Sequence, residues 1–234
     1  MSMPGYFTLR RMDSTVYRQR TIPPAWLEDV LPGPGGRVLE VGCGMGGVLC
    51  FLRDKGYRNL LGVDVDRDAV NCCLEAGLKV NLISSIEEFA ATSGECFDLV
   101  LMFHVLEHLE KKDIIPTLAA IRSIMSHGGR IVVSVPNAQS PTGSYWAYED
   151  FTHSTIFTSG SLYHVLKGAG FNQVNFVDPF GLAGLSPFKK ILRRSLITLY
   201  DWNRTLINRL TGSSWHEPSP RIYTFEIKAI AFNP

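Results

Sequence analysis

The chain has 234 residues, 45% of them apolar and 19% charged, and its 23 basic residues nearly cancel 22 acidic ones to leave +1. That is enough apolar sequence for one core, and it excludes an intrinsically disordered chain, which needs low hydrophobicity and high net charge. A near-zero balance gives no overall drive toward nucleic acid or an acidic membrane. Five cysteines, odd in number and with no C-x-x-C pair, speak against a disulfide framework or a zinc–thiolate site and fit reduced thiols in a cytoplasmic protein.

Residues 1–35 read as a polar N-terminal extension carrying Arg10, Arg11, Arg18 and Arg20, then Pro23-Pro24 and a short helical stretch from Ala25 to Leu31. No apolar h-region lies between Met1 and Arg20, so no signal peptide is expected, and no apolar run approaches the roughly 20 residues of a spanning helix. After the Pro32–Gly36 breaker a regular rhythm begins. Strands are predicted at Arg37–Val41, Leu60–Asp64, Lys79–Ile83, Phe97–Phe103 and Gly129–Val135. Helices are predicted between them at Met45–Lys55, Arg67–Ala76, Ser85–Ala91 and Asp113–Met125. Continuous apolar strands alternating with amphipathic helices imply an α/β, Rossmann-like, doubly wound and mostly parallel sheet. Beyond Pro136 come an aromatic loop (Ser144–Phe157), a helix (Ser159–Ala169), a strand (Gln173–Val177), a long basic helix (Phe188–Leu210) and a last strand (Ile222–Ala231). Residues 36–234 therefore read as one domain with a helical insertion over 181–221.

Between the first strand and helix lies Glu40-Val-Gly42-Cys43-Gly44-Met-Gly46-Gly47. Glycines let backbone turn tightly and approach a ligand closely. Gly42, Gly44 and Gly47 satisfy G-x-G-x-x-G, with Asp64 twenty residues after Gly44, which is the dinucleotide fingerprint. Glu40 shifts that reading. A carboxylate two positions before the first glycine opposes a pyrophosphate and suits a cationic ligand.

With glycines at 42, 44 and 46, the segment takes the E-x-G-x-G-x-G form and resembles the class I S-adenosylmethionine-dependent methyltransferases. Within them it is most similar to the ubiquinone-type O-methyltransferases and their relatives associated with glycan assembly. The resemblance continues through Gly62-Val-Asp64-Val-Asp66, Phe97-Asp-Leu-Val-Leu-Met-Phe-His-Val-Leu-Glu-His108 and Gly128-Gly-Arg-Ile-Val-Val-Ser-Val-Pro136, and covers residues 36–178 in order and spacing. It implies that Gly42, Cys43, Gly44 and Gly46 cradle the methionine part of S-adenosylmethionine, with Glu40 near its ammonium. Asp64 would accept both ribose hydroxyls and Val65 would pack on the adenine. Ser85 and Ile86 stand at the adenine edge, where a serine replaces the more usual aspartate. Phe103 and His104 would close the pocket beside the sulfonium.

His104-Val-Leu-Glu107-His108 also matches H-x-x-E-H, a zinc-hydrolase pattern in which two imidazoles four apart on a helix share a metal. The motif directly follows an apolar strand, so His104 is expected at a strand end, and no metal site is assigned. Farther on, Tyr145-Trp146-Ala-Tyr148-Glu-Asp150-Phe151-Thr-His153 falls beyond the fifth strand, where open α/β sheets bind ligands. Its stacking surface (Tyr145, Trp146, Tyr148) and titratable Asp150 mark it as the expected substrate side. Methyl transfer to a hydroxyl needs alignment, exclusion of water and removal of a proton. His153 is the expected base or orienter of the acceptor, with His104 second. The acceptor could be a glycan, an amphiphilic or lipid-linked intermediate, or a phenolic small molecule. An NAD-dependent oxidoreductase and a non-catalytic cofactor-binding regulator or scaffold are the alternatives, and no nucleic-acid-binding module is visible.

The +1 conceals an asymmetry. Between Pro187 and Arg221 stand seven basic and two acidic residues, a local +5. Phe188, Leu192, Leu196, Leu199, Trp202, Leu206 and Leu210 recur at steps of three and four, which makes an amphipathic helix. Burial against the protein is the commonest fate of such a helix. A membrane surface met through 187–210, a cap over the site and a homodimer face are the alternatives.

Overall fold

A computed structural model describes residues 6–10 and 25–234. Arg11, Arg18, Arg20, Pro23-Pro24 and most of the segment judged free of a signal peptide lie outside the described residues.

In chain order the elements are α1 (Tyr6–Leu9), a 3-10 turn (Ala25–Val30), β1 (Val38–Val41), α2 (Gly47–Asp54), β2 (Leu60–Asp64), α3 (Arg67–Glu75), β3 (Val80–Leu82), α4 (Ile86–Thr92), β4 (Phe97–Phe103), a 3-10 turn (Leu106–His108), α5 (Lys111–Ser123), β5 (Met125–Pro136), α6 (Gly143–Glu149), α7 (Ser159–Gly168), β6 (Asn172–Phe176), α8 (Pro187–Thr211) and β7 (Glu226–Phe232). The seven strands form one sheet in the order β3-β2-β1-β4-β5-β7-β6. The ladders from β3 to β5 are parallel, and β7 runs against both of its neighbours. The Rossmann-like, mostly parallel architecture is the one the strand–helix rhythm predicts.

The period of two along the strands sends alternate residues to opposite layers. Val100 and Met102 of β4 join Ile114, Leu118 and Ile121 of α5 and Leu162 of α7 on one face. Leu99 and Leu101 join Leu52 of α2 and Trp26, Leu27 and Val30 on the other. Both faces are therefore dry, which is why β4 is apolar without alternation. Part of the segment set apart as an extension thus closes the core. The loop expected over Ser144–Phe157 begins as α6. The last strand starts at Glu226 rather than Ile222, because the buried Asn137 side chain donates to the Ile222 and Thr224 carbonyls, both at 2.8 Å. One expectation is reversed outright: no residue of α8 is buried.

The order reverses at β1. The chain steps from β1 outward to β2 and β3, then crosses back to β4 on the other side. Crossovers leaving in opposite directions open a crevice beyond the carboxyl ends of β1 and β4, the usual ligand position in such sheets.

Candidate active site

The crevice floor is the loop after β1. Gly42, at φ 68°, and Gly46, at φ 77°, take left-handed conformations. A Cβ on Gly42 would lie 2.4 Å from Val105 Cγ2 of the β4 loop, and one on Gly46 2.4 Å from Leu78 Cδ1. Only glycine satisfies both backbone and space at these two positions. The Gly44 N–H donates to Asp64 Oδ2 at 2.7 Å and the Asp66 N–H to Asp64 Oδ1 at 2.8 Å, so the β2 carboxylate holds the loop open. Each oxygen keeps a further lone pair for a diol. Val65 beside it leaves 65% of its surface exposed, an apolar ledge on which a flat ring can rest.

Glu40 is buried at 4% exposure, and its Oε2 has no partner among the described residues. Burial, then the neighbouring Cys73 and Asp64, push its carboxyl well above the usual range. A buried acid with an orphan oxygen is what a cationic group would complete. The residues therefore fit the expected cofactor: a waiting carboxylate for its ammonium and a glycine turn with no room for side chains. The sign of the electrostatics gives a first prediction. A folded carboxyl raised above its unfolded value loses stability as pH rises through that interval. Glu40→Gln should raise the melting temperature of the ligand-free protein by a few degrees at about pH 8, with the gain shrinking toward pH ~4. A variant less stable than the parent at both pH values would show that the charge is already compensated.

Four expected contacts, Cys43, Ser85, Ile86 and Phe103, are engaged within the protein. The Cys43 side chain is buried in the cluster with Leu49 and Cys73 under the loop, so only its backbone can face a ligand. Ile86 is likewise spent in the core, and Ser85 caps α4 by accepting the Glu88 N–H at 3.1 Å. Phe103 is half-buried and packs edge-on against Trp26, centroids 5.8 Å apart.

His104 follows β4 directly, as its context implied, at φ 55°. Its Nδ1 lies 3.1 Å from Glu107 Oε1 and its Nε2 3.3 Å from Glu226 Oε2. Burial disfavours the cation, but hydrogen bonds to the two carboxylates outweigh it and push the imidazole up to about 10. His104 is thus an imidazolium at neutral pH, which corrects the expectation that it serves as a second base. Glu226 escaped the sequence reading, although a charged pair (Glu226, Lys228) inside an apolar strand is a usable signal.

On the acceptor side, Asp150 is buried and fully engaged. Tyr6 Oη donates to it at 2.5 Å, the Thr152 hydroxyl at 2.7 Å and the Thr152 N–H at 3.0 Å, with Arg10 3.7 Å away. Against the cost of burial these contacts hold its carboxyl at about 2. Asp150 is an anchor tying α1 to this loop rather than a group free to meet substrate. Tyr145 and Tyr148 are exposed, whereas Trp146 leans on Phe225, centroids 5.9 Å apart.

The hydrogen bonds also assign protons. The Trp146 carbonyl, 2.8 Å from His153 Nδ1, can only accept, so Nδ1 carries a hydrogen, and in the neutral ring the lone pair is on Nε2. Thr152 spends its hydroxyl hydrogen on Asp150 and accepts from His108 Nδ1 at 2.8 Å, which leaves the His108 Nε2 lone pair free as well. Burial, and then the proximity of His153, hold His108 below its ordinary value against the pull of Glu107. The two rings meet with centroids 4.8 Å apart. Ligating atoms of Glu107, His108 and His153 lie within 4.8 Å of one another, the one group among the described residues with a metal-like donor set. The pair suggested by H-x-x-E-H is not formed, because His104 turns to the carboxylates.

Residues 16–175 match the family described as a methyltransferase domain. The chain is 31% identical over 160 residues to a ubiquinone biosynthesis O-methyltransferase of Cereibacter sphaeroides, covering 62% of this chain and 64% of that one. It is 32% identical over 114 residues to the protein of the same name from Ralstonia nicotianae, covering 47% of each. Its fold superimposes on the crystal structure of a SAM-dependent methyltransferase from Archaeoglobus fulgidus with a TM-score of 0.67 at 22% identity, covering 97% of this chain and 99% of that one. The chain spans less than two thirds of the length of the curated relatives it matches.

Proposed function

Because the chain belongs to the class I S-adenosylmethionine-dependent methyltransferases, we propose that it methylates a hydroxyl oxygen on a glycan, lipid-linked or phenolic acceptor. The observation that carries the O-directed reading is the His153 imidazole, whose Nδ1–H is fixed by Trp146 so that Nε2 is the atom turned to an acceptor. The names of the ubiquinone O-methyltransferase relatives support the same acceptor atom.

S-adenosylmethionine, when bound, supplies an electrophilic methyl on its sulfonium. Glu40 and the Gly42–Gly46 loop would hold its amino-acid part, Asp64 its ribose and Val65 its adenine. His153 receives the acceptor proton at Nε2 or orients the hydroxyl there, while Trp146 keeps the ring from turning. Tyr145 and Tyr148 offer stacking surface, and His104, as a cation between Glu107 and Glu226, holds Glu107 near His108 and His153. Alignment of this kind is worth about 7–11 kcal/mol. The buried Glu40 carboxylate disfavours the pyrophosphate of NAD and sets an oxidoreductase back.

His153→Ala is expected to lower kcat by about 10²–10⁴-fold and to leave S-adenosylhomocysteine affinity within twofold by calorimetry. Retention of most of kcat with cofactor binding intact would remove His153 from this role. Absence of turnover on every hydroxyl acceptor, with tight cofactor binding, would favour a non-catalytic binder.

A further inference from the structure

The 25-residue helix α8 is built inside out relative to the fold. Part of its polar side faces the protein: Arg193 donates to the Gly181 carbonyl at 2.5 Å, Asp201 accepts from Tyr223 Oη at 2.7 Å and from Arg221 at 3.0 Å, and Arg194 lies over the Phe180 ring. Its apolar side, with Phe188, Ile191, Leu199, Trp202 and Leu210, faces outward, and all five are more than 60% exposed. Single exposed apolar residues are ordinary, but an aligned face of this length marks an interaction surface. The sequence places these residues on one stripe, so the outward face is contiguous.

We propose that α8 docks the protein on an anionic lipid surface, lying flat with its apolar face in the headgroup boundary. The helix carries six Lys and Arg residues against a single acidic one, Asp201. Lys189, Lys190, Arg204 and Arg209 form no ion pair among the described residues. Pairing this face with a second copy would set two helices of +5 side by side, whereas anionic headgroups attract the same charge. No described helix is long and apolar enough to cross a membrane, which leaves the interfacial mode. The chain leaving α8 returns through Phe225, which packs on Trp146, to Glu226, which pairs with His104. The segment that follows α8 therefore ends at the acceptor side. Delivery of an amphiphilic acceptor from that surface rests on the methyl-transfer reading, while the docking itself does not.

The test is co-sedimentation of the full chain with phosphatidylcholine vesicles and with vesicles also containing phosphatidylglycerol. Binding to the anionic vesicles alone at low salt is expected, weakening about fivefold for each basic residue removed at Lys189 and Lys190. Tryptophan emission should shift to the blue on binding, and Trp202→Phe should remove that shift. Leu199→Glu with Trp202→Glu should abolish sedimentation while S-adenosylhomocysteine affinity stays unchanged, which separates the surface from the cofactor site. No binding at low salt overturns the proposal, as does a dimer that Leu199→Glu dissociates in the absence of lipid.

Discussion

Asp64→Asn should cost about a hundredfold in S-adenosylhomocysteine affinity and about 2 kcal/mol in stability. The reason is that Asp64 does two jobs with one carboxylate. Its two oxygens accept backbone N–H groups from Gly44 and Asp66 at 2.7 and 2.8 Å, one from the glycine loop and one from the start of the following turn. An asparagine has one acceptor oxygen and one donor nitrogen, so one of these N–H groups must face an NH₂. Charge-assisted bonds of this kind are worth roughly 1.5–3 kcal/mol each, and an unsatisfied buried donor costs about 1–3. An opposing effect exists: burial raises the Asp64 carboxyl above its ordinary value, and a neutral amide relieves that. Set against that relief, the amide leaves one of the two backbone N–H groups facing its own NH₂, and the loss of that bond is the larger effect. The glycine loop then loses the tether that spaces it from β2, and a ribose diol loses a bidentate acceptor. Isothermal calorimetry and thermal unfolding of the ligand-free variant check the two effects separately. Unchanged affinity would mean that the ribose is held elsewhere.

What the sequence makes legible follows from where each signal lives. The cofactor side is local: Glu40, the glycines and Asp64 are positioned by a strand end and a tight turn, and short-range rules reach them. The three left-handed glycines at 42, 44 and 46 are what the residue type alone suggests. The acceptor side is assembled from long range, and there the sequence was less informative. Asp150 carries the same charge whether it meets substrate or anchors Tyr6, and only a partner 144 residues away distinguishes the two. His104 looks like a base until Glu226, on a strand 122 residues later, turns it into a cation. Periodicity makes α8 amphipathic, but a hydrophobic stripe carries no information about which side meets the protein. That was decided by Asp201, Tyr223 and Arg221, polar groups that pair on the helix's other face.

The His104 cluster yields the second large effect, and its pH dependence has a definite sign. The imidazole is raised from an unfolded value near 6.5 to about 10 by Glu107 and Glu226, against the cost of burial. A histidine raised on folding contributes stability that is fully present below about pH 6.5 and is lost as pH rises through about 10. The wild-type protein should therefore lose stability progressively across that alkaline interval. His104→Ala removes the counter-ion of Glu107, whose side chain is entirely buried, and leaves that charge uncompensated. Breaking a buried pair costs roughly 3–5 kcal/mol; the His104 side chain keeps 46% of its surface exposed, so solvent screening brings the expected loss to about 2 kcal/mol near pH 6. Glu226 is cushioned, because Lys228 lies 3.6 Å away and Ser134 donates to it at 2.8 Å. The difference between wild type and His104→Ala should narrow steadily and close above about pH 10, as the wild-type imidazole also loses its proton. Denaturant unfolding at a series of pH values measures this directly. A gap that stays constant from pH ~6 to ~10 would show that His104 acts by packing alone and that its ring is neutral, which would return it to the list of proton acceptors beside His153.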